Sequence, residues 1–313
     1  MTKEVKIKQL QSRYDLIMKR GFYNNKIGNK ILRKIRSLQN KWKEISVTDI
    51  FYFTDIHGHL PLYNAIMDFC GKSLIIFGGD AIDRGEDGYT IMKDLLKRPN
   101  VIYLKGNHED MFVAAVKEFK QHFSNPQLTD QRLESIFHGA MVFDTRYPEL
   151  QLAAYNGGKS TIKAWYNDGM PMDIVEKIDK LPLGFSINNF DFCHAGGVYP
   201  SFSRKNKTQY DIDDLLWNRS AFDYGWAPKR YCIHGHTPTV IMPKKFIGSM
   251  TEKDIAPIKY RGNFDDKYTG YKINMDTGAF ATNRAFVLNC STLSTTGFQY
   301  KDNKIEKLET VSL

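Results

Sequence analysis

Cysteine is scarce in this chain: four in 313 residues, Cys70, Cys193, Cys232 and Cys290, widely spaced and with no Cys-x-x-Cys pair. That spacing argues against a disulfide scaffold and a thiolate metal site. The four read instead as reduced thiols in the core of a cytoplasmic protein. Long apolar runs are missing too, and nothing approaches the ~18 consecutive residues needed to cross a bilayer. The N-terminus carries charge with no apolar stretch behind it, so no secretory signal is expected. Without one, the glycosylation patterns at Asn206 (NKT) and Asn218 (NRS) carry no meaning. After residue 48 there is no internal repeat, low-complexity tract or obvious linker. What remains is an ordinary composition, 42% hydrophobic and 25% charged, in a chain long enough for one large core with or without an appendage.

Acidic residues are rare in one place only. Residues 1–47 hold 13 Lys and Arg against 3 Asp and Glu, a net +10, whereas the remaining chain comes to −1. Ile7, Leu10, Tyr14 and Ile17 have the spacing of one amphipathic helix; Ile27, Ile31, Ile35, Leu38, Trp42 and Ile45 have that of a second, with Gly21 and Gly28 near the break. Two domains are expected: a basic helical extension over 1–47 and a catalytic domain over 48–313. The extension either packs on that domain with its lysines in water or recruits an acidic partner, nucleic acid or an anionic membrane surface. Its aromatics are not interleaved with basic residues as a stacking platform requires.

Five short runs rich in aromatic and β-branched residues read as strands covered on both faces: Ile50-Phe51-Tyr52-Phe53, Leu74-Ile75-Ile76-Phe77, Val101-Ile102-Tyr103-Leu104, Phe190-Asp191-Phe192-Cys193 and Tyr231-Cys232-Ile233. Each runs into a polar turn: TDIHGH at 54–59, GDAIDRG at 79–85, GNHE at 106–109, CHAGG at 193–197 and GHT at 235–237. Ligands in α/β sheets gather beyond the carboxyl ends of strands, so these turns can converge on one crevice. Together they supply carboxylates, an asparagine and several imidazoles, a donor set suited to two neighbouring metal ions.

Asp55 and His57 are one residue apart, and in a chain still extended both would leave on the same side. Asp80 could bridge two cations through its two oxygens, and Arg84 offers a planar fork suited to phosphate. In GNHE, the Asn107 carbonyl can bind a hard cation and His108 is the proton donor near neutral pH. The stretch Glu109 to Phe119 has helical spacing, with Met111, Ala115 and Phe119 on one side. His194 and His236 each end a strand run beside glycine. His59, His122, His138 and His234 are assigned to structure or surface, with His59 and His234 as rivals close to the site.

In order and without a missing anchor, these strings resemble the phosphoprotein phosphatase family of serine/threonine phosphatases, among the calcineurin-like metallophosphoesterases. The bacterial and bacteriophage lambda phosphatase-like branch is the most similar, the symmetrical diadenosine tetraphosphatases somewhat less so. YNGG at 155–158, LLWNR at 215–219, HTP at 236–238 and MDTGA at 275–279 add to the match, which runs over about residues 48–300. The resemblance implies an α/β (α+β) fold of two packed mixed β-sheets flanked by helices, here with the N-terminal helical extension. By the same resemblance, Asp55 and His57 are ligands of a first metal, Asp80 bridges, and Asn107, His194 and His236 are ligands of a second. His108 is the catalytic acid, Asp83 the carboxylate that holds it, and Arg84 and Arg219, with Asn107, the groups that touch substrate.

Two divalent ions are implied as cofactors, Mn²⁺ by resemblance, with Fe²⁺ and Zn²⁺ suited to the same oxygen and imidazole donors. Such ions lower the pKa of a water between them and stabilise charge on the phosphoryl oxygens, so the expected nucleophile is water, with no phosphoenzyme. The expected substrate is a phosphoprotein, at serine or threonine, or a phosphorylated small molecule. A dinucleoside tetraphosphate hydrolase is the next alternative, and an inactive scaffold binding acidic partners through the basic arm is the third. Segments 121–154 and 241–272 are expected to form rims or a small cap.

Overall fold

The computed structural model describes residues 49–123, 147–247, 255–262 and 267–313. The basic extension over 1–47 lies outside the described residues, as do 124–146, 248–254 and 263–266 within the two expected rim segments.

Two mixed sheets pack face to face. The first holds six strands in the order β11-β10-β9-β1-β2-β3. Its parallel half is β1 (Ile50–Phe53), β2 (Leu74–Phe77) and β3 (Val101–Tyr103), and its antiparallel half is β9 (Arg284–Asn289), β10 (Ser294–Lys301) and β11 (Lys304–Ser312). The second has the order β4-β5-β6-β8-β7, formed by β4 (Gly184–Ile187), β5 (Phe190–Cys193), β6 (Tyr231–His234), β7 (Ile258–Tyr260) and β8 (Tyr271–Asn274). β5, β6 and β8 run parallel, with β4 and β7 antiparallel at the two edges.

The continuous apolar character of the strand runs follows from burial on both faces. Along β1, alternate side chains leave on opposite sides. Tyr52 enters the layer between the sheets with Ile76, Leu104, Phe192, Ile233 and Ile273, where its ring stacks on Phe192 at 5.5 Å between centroids. Phe51 and Phe53 enter the other layer, under the helices. Those are α1 (Leu60–Cys70), α2 (Gly88–Leu95), α3 (Asn107–His122), α4 (Pro148–Tyr155), α5 (Lys159–Asn167) and α6 (Met172–Asp179). The helical face read over 109–119 packs here, with Met111, Ala115 and Phe119 all buried. Each apolar side chain fully buried in these layers contributes about 1.5–3 kcal/mol relative to exposure. Two further helices, α7 (Tyr199–Ser203) and α8 (Gln209–Trp217), follow β5.

All four cysteines are free and buried; Cys193 and Cys232 sit on neighbouring strands with sulfurs 3.8 Å apart, beyond any covalent S–S length. Among the described residues no helix is long and apolar enough to cross a membrane. The packing brings the carboxyl ends of β1, β2 and β3 against those of β5 and β6. Every polar turn singled out in the sequence leaves from that edge.

Candidate metal centre

The first-sheet turns are knitted together by their own backbones. Asp55 N–H donates to Gly79 O (3.0 Å), His57 N–H to Asp80 O (3.1 Å), Gly58 N–H to Ala81 O (2.9 Å) and Gly85 N–H to His57 O (3.1 Å). Gly58 and Gly85 are glycines for a steric reason: a Cβ on Gly58 would lie 2.7 Å from the carbonyl carbon of Gly85. The chain from 55 to 57 is not extended, contrary to the spacing argument. Asp55 and His57 have φ of +52° and +42°, and the same left-handed region holds Asp80, Asp83, Arg84 and His236. Non-glycine residues held there cost on the order of 1–3 kcal/mol each and persist where the surroundings over-determine them, typically at functional sites.

Asp80 is the hub, and one oxygen does the facing. Its Oδ2 lies 3.6 Å from His57 Nε2, 3.8 Å from His108 Nε2 and 3.4 Å from His194 Nε2. Its Oδ1 accepts from the His108 N–H at 3.1 Å. A Cβ on Gly106 would sit 2.1 Å from that Oδ1, which leaves glycine as the residue that fits there.

The partners of the four imidazoles fix which nitrogen of each points inward. His57 Nδ1–H donates to Ile82 O (2.9 Å), His194 Nδ1–H to Gly78 O (3.0 Å) and His236 Nε2–H to Trp217 O (3.2 Å). A carbonyl only accepts, so each of these nitrogens carries the proton and the opposite one offers a lone pair. His108 differs: its Nδ1 faces the Asp83 carboxylate at 2.7 Å, and Thr161 Oγ1 donates to the other Asp83 oxygen at 2.7 Å.

The inward atoms of one half are all acceptors in the neutral state. His194 Nε2 is 2.9 Å from Asn107 Oδ1 and 3.2 Å from His236 Nδ1, and His236 Nδ1 is 2.9 Å from the same Asn107 oxygen. Three buried lone-pair atoms and the Asp80 carboxylate cannot converge stably without positive charge among them. In the protein alone a proton fills that role: burial pushes the His194 imidazole down, but Asp80 and then Asp55 outweigh it and carry it up to about 10. Burial, then His194 and Arg219, hold His236 well below its ordinary value. The same donors suit a divalent cation, and among the described residues two groups have the spacing to hold one: His57, Asp80 and His108, and Asp80, His194 and His236.

Asp55 stands apart from both groups. Its oxygens accept from Thr54 Oγ1 (2.6 Å) and the His236 N–H (3.1 Å to each), which ties the first-sheet turn to the second-sheet loop. Burial, with Asp80 adding repulsion, raises its carboxyl above the usual range. Burial works against the charge of His108, but Asp80 and Asp83 together raise that ring above an ordinary histidine. Both arginines stand exposed at the mouth. Arg84 places Nη1 3.0 Å from His57 Nε2 and Nη2 3.2 Å from His108 Nε2, while Arg219 donates to His236 O at 3.1 Å.

Of the two rival histidines, His59 caps α1 and meets Asn283 at 3.0 Å, and His234 is buried against Tyr260 Oη at 2.7 Å; His138, assigned to structure or surface, lies outside the described residues. The sequence reading missed Glu109. Its buried carboxylate accepts from Asp80 N (2.8 Å), Ala81 N (2.9 Å), Gly106 N (2.8 Å) and Tyr103 Oη (2.7 Å), and so pins the Asp80 turn to α3. Its position three residues after Gly106, reaching back to the helix-start N–H, was the available signal. Thr161 was missed as well; nothing near it in sequence announces Asp83.

The sequence model of a family described as calcineurin-like phosphoesterase matches residues 48–265. No curated protein matches the sequence. Among solved structures, a protein assigned as a diadenosine tetraphosphatase is 14% identical, over 83% of this chain and 92% of its own, with a TM-score of 0.43. A metallophosphoesterase from Sphaerobacter thermophilus is 15% identical, over 84% and 89%, with a TM-score of 0.40. A protein serine/threonine phosphatase from Saccharomyces cerevisiae is 13% identical, over 93% and 91%, with a TM-score of 0.39.

Proposed function

Because the chain belongs to the calcineurin-like phosphoesterase family, we propose that it is a phosphatase acting on phosphate monoesters, with phosphoserine and phosphothreonine in proteins as its substrates. The observation that carries this reading is the division among the four inward-facing imidazoles. Three are oriented by backbone carbonyls and present lone pairs, as metal ligands do, whereas His108 is held by the Asp83 carboxylate, which favours the charged form that a proton donor needs.

The residues that would hold the metals are His57 and Asp80, joined by Asp55 as the family resemblance implies, on one side and Asp80, Asn107, His194 and His236 on the other, while His108, though spaced to join the first group, is given the acid role. Bound divalent ions, Mn²⁺ by preference with Fe²⁺ or Zn²⁺ as alternatives, supply a lowered water pKa and stabilisation of charge on the attacking and leaving oxygens. The chain's own residues do the rest. Arg84, beside His57 and His108, and Arg219, beside His236, grip phosphoryl oxygens with planar forks, joined by the Asn107 amide. In its charged form, with Arg84 turned from His108 Nε2 to the phosphoryl oxygens, His108 donates the Nε2 proton to the leaving alkoxide, and Asp83, steadied by Thr161, fixes the ring and stabilises that charged form. The expected contribution of that acid is roughly 10²- to 10⁴-fold in rate.

Turnover of p-nitrophenyl phosphate, a phosphothreonine peptide and diadenosine tetraphosphate, each with Mn²⁺ and with chelator, tests the reading. It expects Mn²⁺-dependent release of phosphate from the first two. Preference for the dinucleotide would replace the protein substrate by a nucleotide one, and conversion of none would make the chain a binding scaffold.

A further inference from the structure

The loops that carry the two second-sheet histidines bond through backbone at Gly235 N–H to His194 O (2.8 Å) and Ala195 N–H to Leu215 O (2.8 Å), and beyond those points side chains take over. Gly196 and Gly197, just after His194, both have positive φ, +79° and +24°. Both are met by one side chain: Lys272 Nζ donates to Gly197 O at 2.8 Å and to Gly196 O at 3.1 Å. The next N–H, of Val198, donates to Asp214 Oδ2 at 2.7 Å. Asp214 Oδ1 in turn accepts from Asn218, the neighbour of Arg219, at 2.5 Å. The loop bearing His194 is therefore clamped between a cation and an anion.

Lys272 is fully buried, with its amine 5.4 Å from the Trp226 ring centroid. A buried lysine that contributes nothing but stability is a poor solution, because an apolar residue of similar length avoids the desolvation cost. Lys272 lies on β8, which carries no residue of the site. Two positions along and on the same face, Asn274 Nδ2 donates to Thr237 O at 2.7 Å, the carbonyl immediately after His236. One strand thus sends two buried donors to the two histidine loops of the second sheet.

We propose that Lys272 is a positioning residue for the second-sheet half of the metal centre, holding the 194–198 loop so that His194 faces Asn107, His236 and Asp80. The inference rests on the reading of the site as a paired metal centre. It predicts a selective effect, because the Lys272 amine donates to two carbonyls of the loop that bears His194, on the second-sheet side. Removing a group that orients a metal-binding residue typically costs about 10- to 100-fold in metal affinity.

The test is calorimetric titration of Mn²⁺ into the whole chain and into Lys272→Met and Lys272→Gln, with circular dichroism to establish folding. The unaltered chain is expected to take up two ions. Lys272→Met is expected to weaken one of them about 10- to 100-fold and leave the other unchanged, with Lys272→Gln, which keeps a donor, falling between. If Lys272→Met does not fold, the Gln variant decides on the same selective weakening of one ion. Unaltered affinity for both ions, or equal weakening of both, in a folded variant overturns the role. Failure of both variants to fold assigns Lys272 to the fold alone and overturns it too. Fewer than two ions in the unaltered chain would instead sink the reading of the site itself, and this inference with it.

Discussion

The two halves of the site are built differently. On the first sheet, Asp55, His57, Asp80 and Asp83 sit on turns that bond to one another through their own amides and carbonyls, under left-handed backbone strain. On the second, the His194 and His236 loops share one backbone bond, Gly235 N–H to His194 O at 2.8 Å, and the carbonyls that follow the histidines, of Gly196, Gly197 and Thr237, are met by side chains from β8, a strand with no other part in the site. A backbone-knit turn carries its geometry in a short contiguous string. A loop held by remote side chains depends on residues a long way off in the chain, so its failures should be separable from those of the turns.

Asp80 is where the halves meet, and altering it should have the largest effect. Asp80→Asn is expected to lower the content of both metals, read by elemental analysis after gel filtration, and to cost more activity than loss of the acid does. Retention of two ions would break the comparison at its hub. His108→Asn should keep both metals and lower kcat by roughly 10²- to 10⁴-fold; undiminished kcat would remove His108 from its role.

Glu109 tests the first half alone. Its carboxylate satisfies three buried amides and a phenol around the Asp80 turn, and charged hydrogen bonds of this kind contribute about 1.5–3 kcal/mol each. Glu109→Gln should therefore destabilise the chain by a few times RT, about 1.5–3 kcal/mol in urea unfolding, and weaken metal binding through Asp80. A variant of unchanged stability would show that the turn holds itself.

The smallest effect is a control on the second-sheet side. Asp211, near the start of α8, accepts from Thr208 N (2.7 Å) and Thr208 Oγ1 (2.8 Å) and pairs with Arg204. Burial opposes its charge, but Arg204 and then Thr208 prevail and hold the carboxyl well below the usual range. A carboxyl held low in the fold contributes stability above its unfolded pKa, ~3.9, and loses it as pH falls through the lower folded value. Asp211→Asn should lower Tm by about 2–4 °C at neutral pH, with the gap closing in acid and Mn²⁺ affinity unmoved. A parallel loss of metal affinity would mean that any destabilisation on this side disturbs the centre, and would blunt the comparison.

Legibility in the sequence follows the same divide. The strand runs from 50, 74, 101, 190 and 231 matched β1, β2, β3, β5 and β6 to within one residue at either end, because burial on both faces writes a continuous apolar string. The paired mixed sheets follow from the same runs taken with the family resemblance. The extended geometry assumed for Asp55 and His57 did not hold, since the turn bends back to bond with the Asp80 turn. Glu109 was legible in principle, within GNHE. Lys272, Asn274, Asp214 and Thr161 were not: Lys272 meets a carbonyl 75 positions away and Thr161 a carboxylate 78 away, and neither end of such a pair marks the other. The role of residues 1–47 stays an expectation drawn from charge and periodicity.

The central claim is a pair of cations sharing Asp80. Anomalous scattering at the manganese edge, from crystals grown with Mn²⁺, tests it most directly. The account predicts two peaks about 3.5–4 Å apart, one on the His57 side of Asp80 and one among Asn107, His194 and His236. A single peak, or two that do not share Asp80, would contradict it.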